Sequence, residues 1–231
     1  MFDYNSLQND ITALTLKKSI LDEINTLKST ALDDTIGLIP YGNTLVSLVK
    51  SCCDIPSMIF WSKMECFFKG IAVIPYEERQ KFSKKFANEN YKEFVKRLIL
   101  LVDKIDDDRK AVIMSNLTRA LMQELIDINT FFRLQNIVTN IVFEDLIFLT
   151  EHIRTHNLKY SVNIISLVNN SLAYQSVISG ASDNEYEISS LGLKLYVYGL
   201  DYDEYDKNRD IRERIDESEP ESTVTAAAVF S

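Results

Sequence analysis

The sequence predicts an all-α or mainly α protein, a multi-helix bundle with a small β-hairpin module near its C-terminus. Three observations lead there. Apolar residues recur at helical spacing over most of the chain, only six Gly and four Pro interrupt its 231 residues, and the plain hairpin signal falls late, between residues 172 and 188. Sandwiches and barrels need turn signals about every 8 to 12 residues, so this scarcity of breakers favours long helices. A chain of this length holds one sizeable domain, or one with a small appended module, at about 100 to 200 residues per domain. A content of 46% hydrophobic and 26% charged residues is that of a folded chain with a real core.

Taken in order, Leu7, Ile11, Leu14, Leu21, Ile24 and Leu27 step by three, four and seven, which gathers them on one stripe of an amphipathic helix. Asp33, Asp34, Gly37, Pro40 and Gly42 break the pattern before a shorter apolar helix from about Thr44 to Cys53. Pro56 opens a helix carrying Met58, Ile59, Trp61, Met64, Phe67 and Phe68, expected to end at Gly70. Pro75 with Glu77 and Glu78 starts another, to about Ala87, because a missing N–H and negative charge both suit a first turn. Tyr91, Phe94, Val95, Leu98, Leu101, Val102 and Ile105 then give the cleanest helical period in the chain. Asp106, Asp107 and Asp108 end that helix and cap the next, whose stripe is Ala111, Met114, Leu117, Leu121 and Leu125. Asp127 or Asn129 caps a helix bearing Phe131, Leu134, Ile137, Val138 and Ile141, and a further helix carries Leu146, Ile147, Leu149 and Ile153.

After His156 the texture changes. A short helix near Val162 to Val168 precedes a strand within Leu172 to Ile178, the turn signal Ser179 to Asn184, a returning strand Glu185 to Ile188 and a helix from Ser189 to about Leu200. Helix, helix, hairpin, helix is the order of a winged-helix-like module. The expected organisation is an N-terminal amphipathic helix (1–34), a helical domain (35–156), the winged-helix-like module (157–200) and an acidic, flexible tail (201–231) in which Asp206 to Ile215 can extend a helix.

Charge bounds the function. The net charge is −9, and ten acids against four bases between Asp201 and Glu221 place −6 of it at the end of the chain. Such a chain is a poor partner for phosphate backbones or anionic lipid. Between Tyr160 and Leu200 the sole basic residue is Lys194, with Asp183, Glu185 and Glu187 around the wing, so DNA reading by the module is disfavoured. Cys52, Cys53 and Cys66 form no spaced ligand set, and an adjacent pair rarely bridges to itself, which fits a reduced, cytoplasmic setting. The opening residues lack the basic start and apolar run of a secretory signal. The most apolar segment, 36–60, is interrupted by Pro40, Asn43, Lys50, Asp54 and Pro56 and falls short of about 20 clean apolar residues for a span.

No local spacing marks a phosphate loop, a dinucleotide fingerprint, a hydrolase elbow or a zinc protease. No catalytic residue and no cofactor is assigned. His152 and His156, the two histidines, stand at the i,i+4 spacing that places two imidazoles on one helical face, and are the weak candidates for metal. Asp103 to Asp108 fails as a calcium loop, having Asp108 where glycine is needed and Met114 where glutamate is needed. Cys66 with His152 is a conceivable thiol dyad, though a buried structural cysteine is the commoner case. Lys81, Lys84, Lys85, Lys92, Lys96 and Arg97, with Phe82, Phe86 and Tyr91 interleaved, read as a solvated helix face diluted by Glu77, Glu78, Glu89 and Glu93.

Lys63 to Phe68, Glu77-Glu78-Arg79 with Phe82, Asp107 to Lys110, Ile126 to Leu134, and Asp145-Leu146 with Leu149 follow one another in a familiar succession. Over residues 35 to 200 it resembles a group of uncharacterised bacterial helical proteins with a winged-helix-like C-terminal end, matched here by Tyr186 to Gly192. The resemblance implies a helical domain closed by a wing and a bacterial or phage-related origin. It implies no activity and no site residue.

The expectation is therefore a non-enzymatic protein-interaction or regulatory, accessory protein acting through helical surfaces. Its partner would be another protein or a second copy, with Leu7, Ile11, Leu14, Leu21 and Ile24 as contact candidates. The alternatives are a membrane-associated effector using segment 36–60 and a nucleic-acid-binding winged-helix regulator.

Overall fold

A computed structural model describes Thr15, Lys18, residues 58–74, 77, 78, 81, 82, 90–176 and 185–218. Among them are eight α-helices: α1 Met58–Ala72, α2 Asn90–Lys104, α3 Asp108–Met122, α4 Ile128–Asn140, α5 Phe143–His152, α6 Val162–Asn169, α7 Ser190–Leu195 and α8 Arg209–Ser218. Three short strands, β1 Leu158–Lys159, β2 Ala173–Ser176 and β3 Glu185–Ile188, complete a mainly α architecture. The chain divides into two compact units, Met1–Phe143 and Glu144–Ser231.

The first unit is built around α3. Asp107 caps it by accepting from the Arg109 backbone N–H. Ala111, Met114, Leu117 and Leu121 are buried as their spacing predicts, and Leu125 lies just past the helix end at Met122. Burial runs further round α3 than one stripe, taking in Lys110, Ile113, Ser115, Thr118 and Met122. The polar members pair within the fold: Ser115 donates to the Val112 carbonyl and Thr118 to the Met114 carbonyl, which removes the cost of burying a bare hydroxyl. α1 packs on α3 so closely that a β-carbon on Gly70 would fall 2.0 Å from Ser115 Oγ. Gly70 thus sits inside α1, which continues to Ala72, and the expected stop there is corrected. Phe82, Phe94, Phe131 and Phe132 form one aromatic group joining α2 to α4, with ring centroids 5.1 to 6.2 Å apart, a spacing at which edge-to-face and tilted rings attract.

In the second unit, buried Asp145 on α5 accepts from Asn163 at 2.9 Å and Ser166 at 2.6 Å on α6. The sheet is antiparallel in the order β1-β3-β2. Leu158, Tyr186, Ile188 and Ala173 are buried and share one face through the pairs Leu158↔Tyr186 and Ala173↔Ile188. The opposite face carries Lys159, 3.2 Å from Glu185, and Tyr174, whose hydroxyl donates to Glu187 at 3.0 Å. β1 is an addition to the expected hairpin. A single helix, α6, lies between β1 and β2.

Ser189 caps α7 through the Gly192 N–H and donates its hydroxyl to the Ser171 carbonyl. From Tyr196 to Leu200 the helix widens to a π turn, closed by the Asp201 N–H on the Tyr196 carbonyl. From Asp201 to Ser218 the chain is largely helical: a 3₁₀ segment, Tyr202–Asn208, leads into α8, which overlaps the helical extension expected over Asp206 to Ile215 and whose Ile211 and Ile215 are buried. Two apolar residues four apart suffice to seat a helix whose remaining surface is charged.

Candidate functional site

Most of the ionisable groups singled out in the sequence are spent on structure. α5 ends at His152, so His156 lies beyond the helix and the two imidazoles do not share a helical face. His152 Nδ1 lies 3.0 Å from the Phe148 carbonyl, its ring stacked on Phe148 at 4.1 Å between centroids, and His156 is exposed. Among the described residues no three His, Cys, Asp or Glu side chains are grouped to hold a metal ion. Burial, together with the carboxylates of Asp108 and Glu65, pushes the Cys66 thiol up, which keeps it protonated and weakly nucleophilic at neutral pH.

The aspartate run is a set of anchors. Asp106 accepts from Lys110, Asp107 binds Arg109 and caps α3, and Asp108 accepts from Ser62 at 2.7 Å. Of the basic stretch, Lys81 lies 3.9 Å from Glu124, Arg97 stacks over the Phe132 ring at 3.9 Å and Phe82 is buried. The other members fall outside the described side chains.

Three cations close helix C-termini, where the last carbonyls have no partner within their own helix. Lys63 donates to the Asp103 carbonyl at the end of α2, Lys110 to Ile141 at the end of α4, and Arg214 to Ile153 at the end of α5. Lys63 is 7% exposed and Lys110 fully buried. A second polar group lies around the π turn: Tyr196 donates to Asp201, Asn208 donates to Asp201 and to the Glu204 carbonyl, and Arg154 reaches Asn208 and Asp210. Burial and the bond to Asp201 raise the Tyr196 pKa, so its hydroxyl stays a donor across the physiological range.

Apolar side chains also lie outside these networks. Val162 and Tyr160 are 81% and 69% exposed, the highest values among the large hydrophobic side chains described. Tyr160 follows β1, Ser161 caps α6 by accepting from the Ile164 N–H, and Val162 is the first helical residue. On α6, Ile164 and Leu167 are buried, while Val162, half-buried Ile165 and exposed Asn169 share the outward side at steps of three and four. Val162, Ile164, Ile165, Leu167 and Val168 surround an eight-residue helix with more apolar surface than one contact covers. That excess was visible in the sequence; the exposure of Tyr160 was not. Ile59, Val73, Leu100, Val112, Val142, Ile147 and Tyr174 are also exposed, and single exposed hydrophobics are ordinary. The contact candidates Leu7, Ile11, Leu14, Leu21 and Ile24 lie outside the described residues, as does most of segment 36–60. No described helix is long and apolar enough to cross a membrane.

No family model, no curated protein and no solved structure matches the chain. A reading of function therefore rests on the residues themselves.

Proposed function

We propose that the chain is a non-enzymatic interaction protein, of a regulatory or accessory kind, that binds another protein through the outward side of α6 and the adjoining Tyr160. The observation that carries this reading is a division of labour in the second unit. Its two buried polar residues among those described, Asp145 and Asn208, are bonded within the chain, whereas Tyr160 and Val162, two positions apart, present apolar surface to water. Aromatic and aliphatic anchors of this kind carry much of the energy of protein interfaces. A cytoplasmic setting belongs to the same proposal and is supported by the cysteine pattern.

The test compares the wild-type chain with the Tyr160→Ser/Val162→Ser double variant. Both are immobilised at equal density and exposed to extract of the native host, and self-association is followed by light scattering. A protein retained by the wild type and lost by the variant supports the reading. Self-association abolished by the variant makes the partner a second copy. Identical behaviour of the two chains in both measurements overturns it.

A further inference from the structure

We propose that the α6 face docks a basic, apolar-anchored segment of its partner protein; this rests on the reading above and adds the chemistry of the partner. The chain's charge is divided as sharply as its fold. Up to Phe143 there are eighteen acidic and eighteen basic residues, and from Glu144 onward sixteen acidic against seven basic, so the second unit carries the whole −9. Of the cations nearest the α6 face in sequence, Lys159 is held by Glu185 at 3.2 Å, and Arg154 is engaged by Asp210 and Asn208. Glu144 and Glu151 on α5 are exposed, and Glu187 on β3 is half-buried.

An apolar anchor on a unit of net negative charge selects by two separate means. Contact with Tyr160 and Val162 supplies hydrophobic burial, which is indifferent to charge. The surrounding potential speeds the approach of cationic partners and opposes anionic ones over a screening length of about 8 Å at physiological salt. The same sign opposes nucleic acid and anionic lipid, which leaves a cationic protein segment as the complementary occupant.

The probes are two labelled helical peptides with the same leucine stripe, one bearing lysines and the other glutamates on the polar face. Binding to the full chain is read by fluorescence anisotropy at low and at high salt. The lysine peptide is expected to bind at least about tenfold more tightly than the glutamate peptide at low salt, with the gap narrowing as salt rises. Tyr160→Ser/Val162→Ser is expected to weaken the lysine peptide about tenfold, and Val162→Lys, at a site already in water, to weaken it as well; circular dichroism melting confirms that both variants fold. Equal binding of the two peptides that still depends on Tyr160 and Val162 overturns the charge proposal and leaves the interaction reading standing. Lysine-peptide binding that ignores both variants is general attraction and overturns the proposal, as does failure of the lysine peptide to bind.

Discussion

Asp127 joins a sequence signal to a measurable consequence. Burial works to raise its pKa, but bonds from the Thr130 hydroxyl and from the Thr130 and Asn129 N–H groups outweigh it and hold the carboxyl below its ordinary range. Bonds from Lys110 and Arg109 do the same for Asp106 and Asp107. A carboxylate whose pKa is lower folded than unfolded contributes stability above its unfolded pKa, about 3.9 for aspartate, and loses it as pH falls through the folded value. Asp127→Ala should cost about 1 kcal/mol at pH 7 as a lost helix cap. In denaturant titrations the gap between variant and wild type should narrow once pH drops below about 4; a gap unchanged in acid would contradict this account. Asp107 and Asp127 were legible as caps because capping is local. The burial of Lys63 and Lys110 was not, since their carbonyl partners lie 40 and 31 residues away.

Two helices end in the same unusual way. After α3, Glu124 takes a positive φ of 59°, with the Leu125 N–H on the Ala120 carbonyl and the Glu124 N–H on Leu121. After α6, Ser171 takes 61°, with Leu172 bonded to Leu167 and Ser171 to Val168. Glycine usually fills this left-handed position, because a β-carbon there costs about 1 kcal/mol or more. Glu124→Gly and Ser171→Gly should each raise stability by about 0.5 to 1 kcal/mol in thermal or denaturant melts; a loss of stability would show that the side chain earns its place by other contacts. These ends were hard to place in the sequence because the expected glycine is absent. Gly70, conversely, read as a stop while serving as the close approach to Ser115. α3 was found by its stripe, but part of its buried surface was hidden by Ser115 and Thr118, which satisfy themselves on the helix's own carbonyls.

At the scale of the molecule, the mainly helical class and the hairpin strand Glu185 to Ile188 were legible, since period and turn chemistry are written locally. β1 was not: two residues carry no alternation, and their pairing with β3 spans more than twenty positions. The outward side of α6 was illegible for a related reason, because apolar residues all round a short helix do not say which of them the fold covers. Lys110→Ala should lower stability by about 1 to 3 kcal/mol by stranding the Ile141 carbonyl. In hydrogen exchange the loss should register across α3 and α4 together, and confinement to the last turn of α4 would count against it. The reason lies in how α2, α4 and α5 terminate. Each is finished by a side chain delivered from another stretch of the chain, so none is complete when formed alone. Such helices are weak as isolated peptides and mature only as their neighbours arrive, which ties local order to global assembly and makes folding more nearly all-or-none.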